Sequence, residues 1–136
     1  MAMHPDAALV RQGYEAFGKG DFATLAELMT ADCTHHTPGE SQVSGHFKGR
    51  ENILAMFQQL SDLSHGTMRV ELHDVSVDGR GHAMSSHTYF AERAERGIGL
   101  EMKGGLFFTI IGGKISDVDE CVADIDEADA FWGQAE

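Results

Sequence analysis

The spacing of apolar residues predicts an amphipathic helix at the start of the chain. Pro5 and Asp6 suit a first helical turn, and Val10, Tyr14 and Phe17 recur at i, i+4 and i+7 on one face. The glycine-rich residues 18–20 that follow are typical of a helix end. This segment is therefore expected to pack one apolar face against a core.

Two further helices are predicted in the first half of the chain. Asp21 is a typical N-cap residue, and apolar residues follow it at helical spacing: Phe22, Leu25, Leu28 and Met29. A β-leaning stretch at 32–37 stops at Pro38, and residues 39–49 have the composition of a polar loop. From Arg50 the helical spacing returns and continues to residues 64–66. Its apolar positions are Ile53, Met56, Phe57 and Leu60.

In the second half of the chain, apolar and polar residues alternate as they do in β-strands. Turns containing glycine or charged residues separate four runs, which are 67–77, 82–92, 98–111 and 115–122. Residues 126–132 have the pattern of a short terminal helix. Helices followed by hairpin-linked strands predict an α+β fold with helices on one face of an antiparallel sheet. Both faces of the 82–92 run mix polar and apolar residues, so the pattern leaves its inward face undecided.

Length, charge and cysteine content narrow the class of protein. A chain of 136 residues is expected to form one domain over residues 1–136. The net charge of −12 disfavours partners such as nucleic acid or a membrane surface. No apolar run is long enough to span a membrane and no signal peptide is visible. We expect a cytoplasmic protein in which Cys33 and Cys121 are buried, reduced thiols.

The order and spacing of several short motifs resemble a known family. The motifs are Tyr14–Phe17, Gly20-Asp21, Leu25–Asp32, His36–Gly39, Gly45, Gly49–Ile53 and Gly113–Ile115. Together they resemble the nuclear transport factor 2-like superfamily, in its SnoaL-like and ketosteroid-isomerase-related branch. The resemblance implies a cone in which a strongly curved, mixed and mostly antiparallel sheet wraps three N-terminal helices around a pocket. It also implies a homodimer through the outer sheet face.

Two of the chemistries found in this branch fit the sequence poorly. Ketosteroid isomerases use an aspartate base before a proline and a protonated aspartic acid in the penultimate strand. This chain has Thr37 before the proline, and Gly105 or Leu106 at the second position. Epoxide hydrolases of the branch use an Asp–Arg–Asp set, whose nearest match, residues 69–71, lies one strand too early. These activities are therefore disfavoured.

A third chemistry, cyclase-like proton abstraction, suits the last strand. Val118, Glu120 and Val122 share one face of that strand. If this face points into the pocket, Glu120 is a carboxylate in an apolar setting and a candidate general base. The alternative is that Glu120 forms a structural ion pair with a nearby Arg or Lys.

The chain is rich in histidine, and imidazole can donate to an oxyanion or bind metal. His36 and His87 are the candidate pocket donors, and Tyr14 is a candidate second donor. Each is also suited to a purely structural role. A metal site is not expected, because adjacent or oppositely facing histidines cannot easily share one ion.

One group of residues could line a ligand pocket, although the same residues also suit core packing. They are Phe17, Thr37, Met56, Phe57, Met84, Phe90, Phe107 and Trp132. The predicted function is acid–base chemistry of cyclase or isomerase type, without cofactor or metal, on a small hydrophobic ligand with a carbonyl group. The alternatives are a non-catalytic small-molecule binding protein and a dimeric interaction protein of the same fold.

Overall fold

The computed structural model describes residues 3–135, so Met1, Ala2 and Glu136 at the ends of the predicted domain lie outside them. The α-helices are α1 Pro5–Gly18, α2 Phe22–Leu28, α3 Arg50–Leu63 and α4 Ile125–Trp132. The strands are β1 Met29–Thr37, β2 Gly45–Lys48, β3 Arg69–Val77, β4 His82–Arg93, β5 Ile98–Ile111 and β6 Lys114–Val122. A turn of 3₁₀-helix, Ala94–Arg96, joins β4 to β5.

The strands form one curled mixed sheet in the order β2-β1-β6-β5-β4-β3. Neighbouring strands are antiparallel except β1 and β6, which run parallel. The predicted α+β fold with a mixed, mostly antiparallel sheet is confirmed. Helices α1 to α3 lie against the concave inner face, as the resemblance implied.

Local signals account for most element boundaries. Asp21 caps α2, because its Oδ1 accepts a hydrogen bond from the backbone N–H of Thr24 at 3.1 Å. Gly112 and Gly113 both adopt positive φ, 59° and 77°, which the tight β5–β6 hairpin requires. Met29, expected at the end of the second helix, instead begins β1.

The prediction that residues 39–49 form only a loop is wrong, because β2 lies within it. This strand has four residues and pairs with β1 through His46 opposite His36. It lies at the edge of the sheet, and so short a segment shows almost no alternation. The neighbouring strand, rather than local sequence, therefore creates it.

The inner face of the sheet carries two apolar clusters. One joins α1, α2 and α3 to the sheet through buried residues such as Val10, Cys33 and Ile53. The other lies beneath α4 and includes Tyr89 and Trp132. The guanidinium of Arg93, a residue only 5% exposed, donates to the last carbonyls of α4 and fixes that helix to β4.

Strand β5 comes unusually close to both of its neighbours at Gly104 and Gly105. A Cβ at Gly104 would overlap the carbonyl oxygen of Cys121 in β6. A Cβ at Gly105 would overlap the carbonyl oxygen of Ser85 in β4. Residues without a side chain therefore permit the sheet to curl at this point.

The two cysteines differ in their surroundings. Cys33 is buried as predicted, and burial raises the pKa of its thiol to about 12. The prediction that Cys121 is buried is wrong, because it is exposed. It alternates with Glu120 on β6 and therefore faces outward. Among residues 3–135 no helix is long and apolar enough to cross a membrane.

Candidate functional site

A cavity of about 140 Å³ lies between the helices and the inner face of the sheet. Helix α1 supplies Val10, Tyr14 and Phe17 to its wall, which is the apolar face that the spacing predicted. Of the eight predicted ligand-binding residues, five line it: Phe17, Thr37, Met56, Phe57 and Trp132. The wall is mostly apolar, which suits a hydrophobic guest.

Three of the predicted pocket residues lie on the outer face of the sheet instead. Met84 and Phe107 are 58% and 42% exposed and stand opposite each other in β4 and β5. Phe90 lies beneath the guanidinium of Arg69, 3.9 Å from the ring centroid. Odd-numbered residues of β4 such as His87 point inward, so the even-numbered Met84 and Phe90 cannot line the cavity.

Glu120 lies on the cavity wall with the valine face of β6. Its Oε1 is 3.3 Å from Nε2 of His35, and the two side chains are 17% and 5% exposed. Its partner is thus a histidine rather than the Arg or Lys of the alternative interpretation. A carboxylate and an imidazole in contact, shielded from bulk water, can share or exchange a proton.

The position expected for His36 is corrected by the structure. Its Nδ1 is 2.9 Å from Oδ1 of Asp119, and its ring stacks on that of His46 at 4.3 Å between centroids. Both partners lie on the outer face of the sheet. Adjacent strand residues point in opposite directions, so His35, which the sequence analysis missed, takes the inward position. The position of His35 on the same face as buried Cys33 was the signal that could have identified it.

A second polar cluster joins α1 to β4 across the cavity. Tyr14 Oη lies 2.7 Å from Ser85 Oγ and 2.6 Å from His87 Nδ1. Burial lowers the pKa of His87, and the nearby charge of Glu120 opposes part of that shift. Burial also raises the pKa of Tyr14, so the phenol keeps its proton at neutral pH. Ser85 was missed by the sequence analysis, although it shares the inward face with His87.

The two polar clusters lie on opposite sides of one strand. Glu120 in β6 stands opposite Leu106 in β5, which stands opposite Ser85 in β4. Two strand spacings correspond to about 10 Å between the backbones of Glu120 and Ser85. In the described part of the chain no three His, Cys, Asp or Glu side chains are grouped so as to hold a metal ion. The arrangement offers a carboxylate on one side of the cavity and an imidazole on the other.

We expect stability to fall below neutral pH partly because of His87. Its pKa is lower in the folded protein than in the unfolded chain, so the unfolded chain binds the extra proton first. The stabilisation is present above the unfolded pKa, about 6.5, and is lost as the pH falls toward the folded value. Urea unfolding should therefore show that the free energy of unfolding falls less between pH 7.5 and pH 5.5 for His87→Gln than for the original protein. An equal loss in both proteins would contradict this prediction, and His65→Gln, at an exposed histidine, is the matched control.

Comparison with known sequences identifies relatives along nearly the whole chain. Residues 10–118 match the family model described as the SnoaL-like domain. An uncharacterized protein of Mycobacterium tuberculosis is 32% identical over 127 residues, which cover 93% of this chain and 95% of that protein.

Solved structures with the same architecture include Bal32a, from a soil-derived mobile gene cassette. It is 35% identical with a TM-score of 0.91, covering 95% of this chain and 97% of that chain. An NTF2-like protein from Burkholderia xenovorans has a TM-score of 0.81 at 16% identity, over 98% and 99% of the two chains. A protein from Xanthomonas campestris proposed to be a polyketide cyclase has a TM-score of 0.69 at 21% identity, over 95% and 97%. The last two show the fold alone.

Proposed function

Because the chain belongs to the SnoaL-like domain family, we propose that it is an acid–base catalyst that works without a cofactor. Its substrate class is a small hydrophobic molecule with a carbonyl group, and its reaction is of cyclase or isomerase type. The observation that carries this proposal is the Glu120 carboxylate, which lies in the wall of an apolar cavity against the imidazole of His35.

The two polar clusters have complementary roles in this reaction. Glu120 removes a proton from the carbon next to the carbonyl group, and His35 holds the carboxylate in place. The electrons move onto the carbonyl oxygen, which then needs a hydrogen-bond donor. His87 is that donor, because its ring lines the cavity opposite β6. Where the ketone has a double bond between its β- and γ-carbons, Glu120 returns the proton to the γ-carbon, and the double bond moves into conjugation with the carbonyl group, which completes an isomerisation.

A non-catalytic binding protein is the alternative, and one specific observation favours it. Each side chain of the two clusters already has at least one partner within the protein, as structural groups do. In that case the cavity would hold a guest, and Glu120 with His35 would serve only to stabilise the wall. Binding and turnover therefore have to be measured separately.

The test measures both on the same set of compounds. Cyclic ketones and β-diketones with hydrophobic substituents are incubated with the protein in D₂O, and deuterium incorporation is followed by mass spectrometry. Fluorescence of Trp132, which is the one tryptophan of the sequence and lines the cavity, reports binding. Deuterium incorporation above the buffer rate supports catalysis. A fluorescence change without incorporation for any bound compound supports the binding protein and overturns the catalytic proposal.

We also propose that two copies associate through the outer face of the sheet, and that the protein acts in the cytoplasm. Met84 and Phe107 form an exposed apolar pair on that face, which is the kind of surface that a partner covers. The cytoplasmic location is supported by the free thiols of Cys33 and Cys121, since reducing compartments preserve free cysteines.

Replacing Phe107 by lysine is expected to weaken this association. The change puts a charge into the proposed apolar contact, which should raise the dimer Kd by about thirtyfold or more, equivalent to about 2 kcal/mol. Light scattering coupled to gel filtration over a dilution series measures the effect. Ile125→Lys is the control, because Ile125 is 44% exposed on α4 rather than on the sheet. A monomeric original protein, or equal dimerisation by both variants, would refute the proposed interface.

A further inference from the structure

The contact between Tyr14 and His87 is one of three linked hydrogen bonds. The direction of the first of these bonds, from Leu106 to Ser85, is fixed by its donor. The backbone N–H of Leu106 donates to Ser85 Oγ at 3.2 Å. An N–H group can only donate, so Ser85 Oγ accepts in this bond and directs its own proton elsewhere. Among the described residues, its other hydrogen-bond partner is Tyr14 Oη at 2.7 Å.

The donor in the hydrogen bond between Tyr14 and His87 follows from the donor in the bond between Ser85 and Tyr14. If Tyr14 Oη accepts from Ser85, its single proton points to His87 Nδ1, 2.6 Å away. Burial favours the protonated phenol and the neutral imidazole, which is the combination that this bond needs. A neutral imidazole carries one proton, so that proton lies on Nε2.

The opposite direction leaves more groups unsatisfied. It would require Nδ1–H of His87 to donate to Tyr14 and Tyr14 to donate to Ser85. The hydroxyl proton of Ser85 would then have no acceptor, although Ser85 is only 9% exposed. Since Nε2 of His87 has no partner among the described residues in either direction, the reversed direction leaves two groups unpaired and the first direction leaves one. Unpaired buried polar groups are costly, so the first direction is favoured.

We propose that Ser85 is a positioning residue, which orients the Ser85–Tyr14–His87 series so that Nε2–H of His87 donates to an oxygen of the ligand. The described residues include no hydrogen-bond partner for this nitrogen, and His87 lines the cavity. Tyr14 acts through His87 in this arrangement, because its one proton is already used. The ligand class is an uncharged molecule with a carbonyl or enol oxygen, and this identification rests on the proposed function.

The protonated nitrogen of His87 can be observed directly. In the full chain with ¹⁵N-labelled histidine, long-range ¹H–¹⁵N spectra distinguish the two tautomers of a neutral imidazole. We expect His87 to carry its proton on Nε2. In Ser85→Ala the direction imposed by the Leu106 N–H and the serine hydroxyl is lost, and a water that fills the vacated space can accept from Tyr14 as readily as donate to it. We therefore expect a measurable population protonated on Nδ1. Ser85→Thr keeps the hydroxyl and should restore the original spectrum.

Ser86→Ala is the matched control, because Ser86 is the next residue of β4 and is exposed. A single Nδ1–H tautomer in the original protein, or an unchanged tautomer in Ser85→Ala, would overturn the assignment. In the deuterium-exchange assay, we expect Ser85→Ala to lower kcat by about tenfold with little change in KM. This decrease in kcat is smaller than the decrease of about a hundredfold or more that follows when the donor itself is removed. An Nε2–H tautomer without any exchange activity would overturn the proposed function while leaving the role of Ser85 supported.

Discussion

Glu120→Gln is expected to lower the rate of deuterium exchange into a bound ketone by about 10²–10⁴-fold, the usual contribution of a general base. Glutamine keeps the size of the side chain and its hydrogen-bond acceptor for His35, but it cannot take a proton from carbon. Binding of the same ketone, followed by Trp132 fluorescence, should therefore change little. This combination distinguishes a lost chemical step from a damaged cavity.

Asp119→Asn is the matched control for this substitution. Asp119 is the preceding residue of β6, but its side chain is 61% exposed on the outer face, where it contacts His36. The Asp119→Asn variant loses a negative charge as Glu120→Gln does, and we expect it to retain at least half of the original exchange rate. Full activity of Glu120→Gln would remove Glu120 from the mechanism. Equal losses in both variants would point to the general field of the acidic surface instead.

Gly105→Ala is expected to lower the free energy of unfolding by about 3 kcal/mol, near the upper end for overpacking substitutions. The new Cβ would overlap the carbonyl oxygen of Ser85, and a backbone atom cannot rotate away as the end of a side chain can. Relief requires β4 and β5 to separate, which flattens the curl of the sheet beside the cavity. A loss of this size should lower Tm by about 10 °C.

Gly99→Ala, in the same strand, is the control for Gly105→Ala. A Cβ at Gly99 would have its nearest neighbour, the carbonyl oxygen of Ala91, at 3.7 Å, which is an ordinary contact. We expect its free energy of unfolding to stay within about 0.5 kcal/mol of the original. Urea denaturation of both variants measures the difference. If the two variants are equally stable, the bend at Gly105 does not depend on the missing side chain.

The elements that periodicity predicted well are those whose own sequence specifies them. Helix α1 has its apolar residues at helical spacing, and the Gly112–Gly113 turn requires a backbone conformation that glycine adopts easily. Strand β2 lacks such a signal, because four edge residues become a strand only by pairing with β1. Local preference thus accounts for the long elements, and pairing partners account for the short one.

The candidate site was predicted in part, and its errors concern the faces of strands. The valine pattern identified the inward face of β6, and with it Glu120. In β4 and β1 both faces mix polar and apolar residues, so the choices of Phe90 and His36 as cavity residues were wrong. His35 and Ser85 were missed for the same reason. A shift of one residue exchanges the two faces of a strand, and local composition did not decide between them.

The sequence by itself determined the class of fold, the long helices and strands, and the family to which the chain belongs, because these depend on periodicity, turn residues and motif order. The tertiary structure alone decided which of the adjacent histidines, His35 and His36, faces the cavity, which outer aromatic residues are excluded from it, and that Ser85, Tyr14 and His87 meet. Those contacts join residues of α1 and β4 that lie more than 70 positions apart along the chain. Their geometry depends on how far the sheet curls, and that curvature arises from the pairing of all six strands, which the close approach at Gly104 and Gly105 permits.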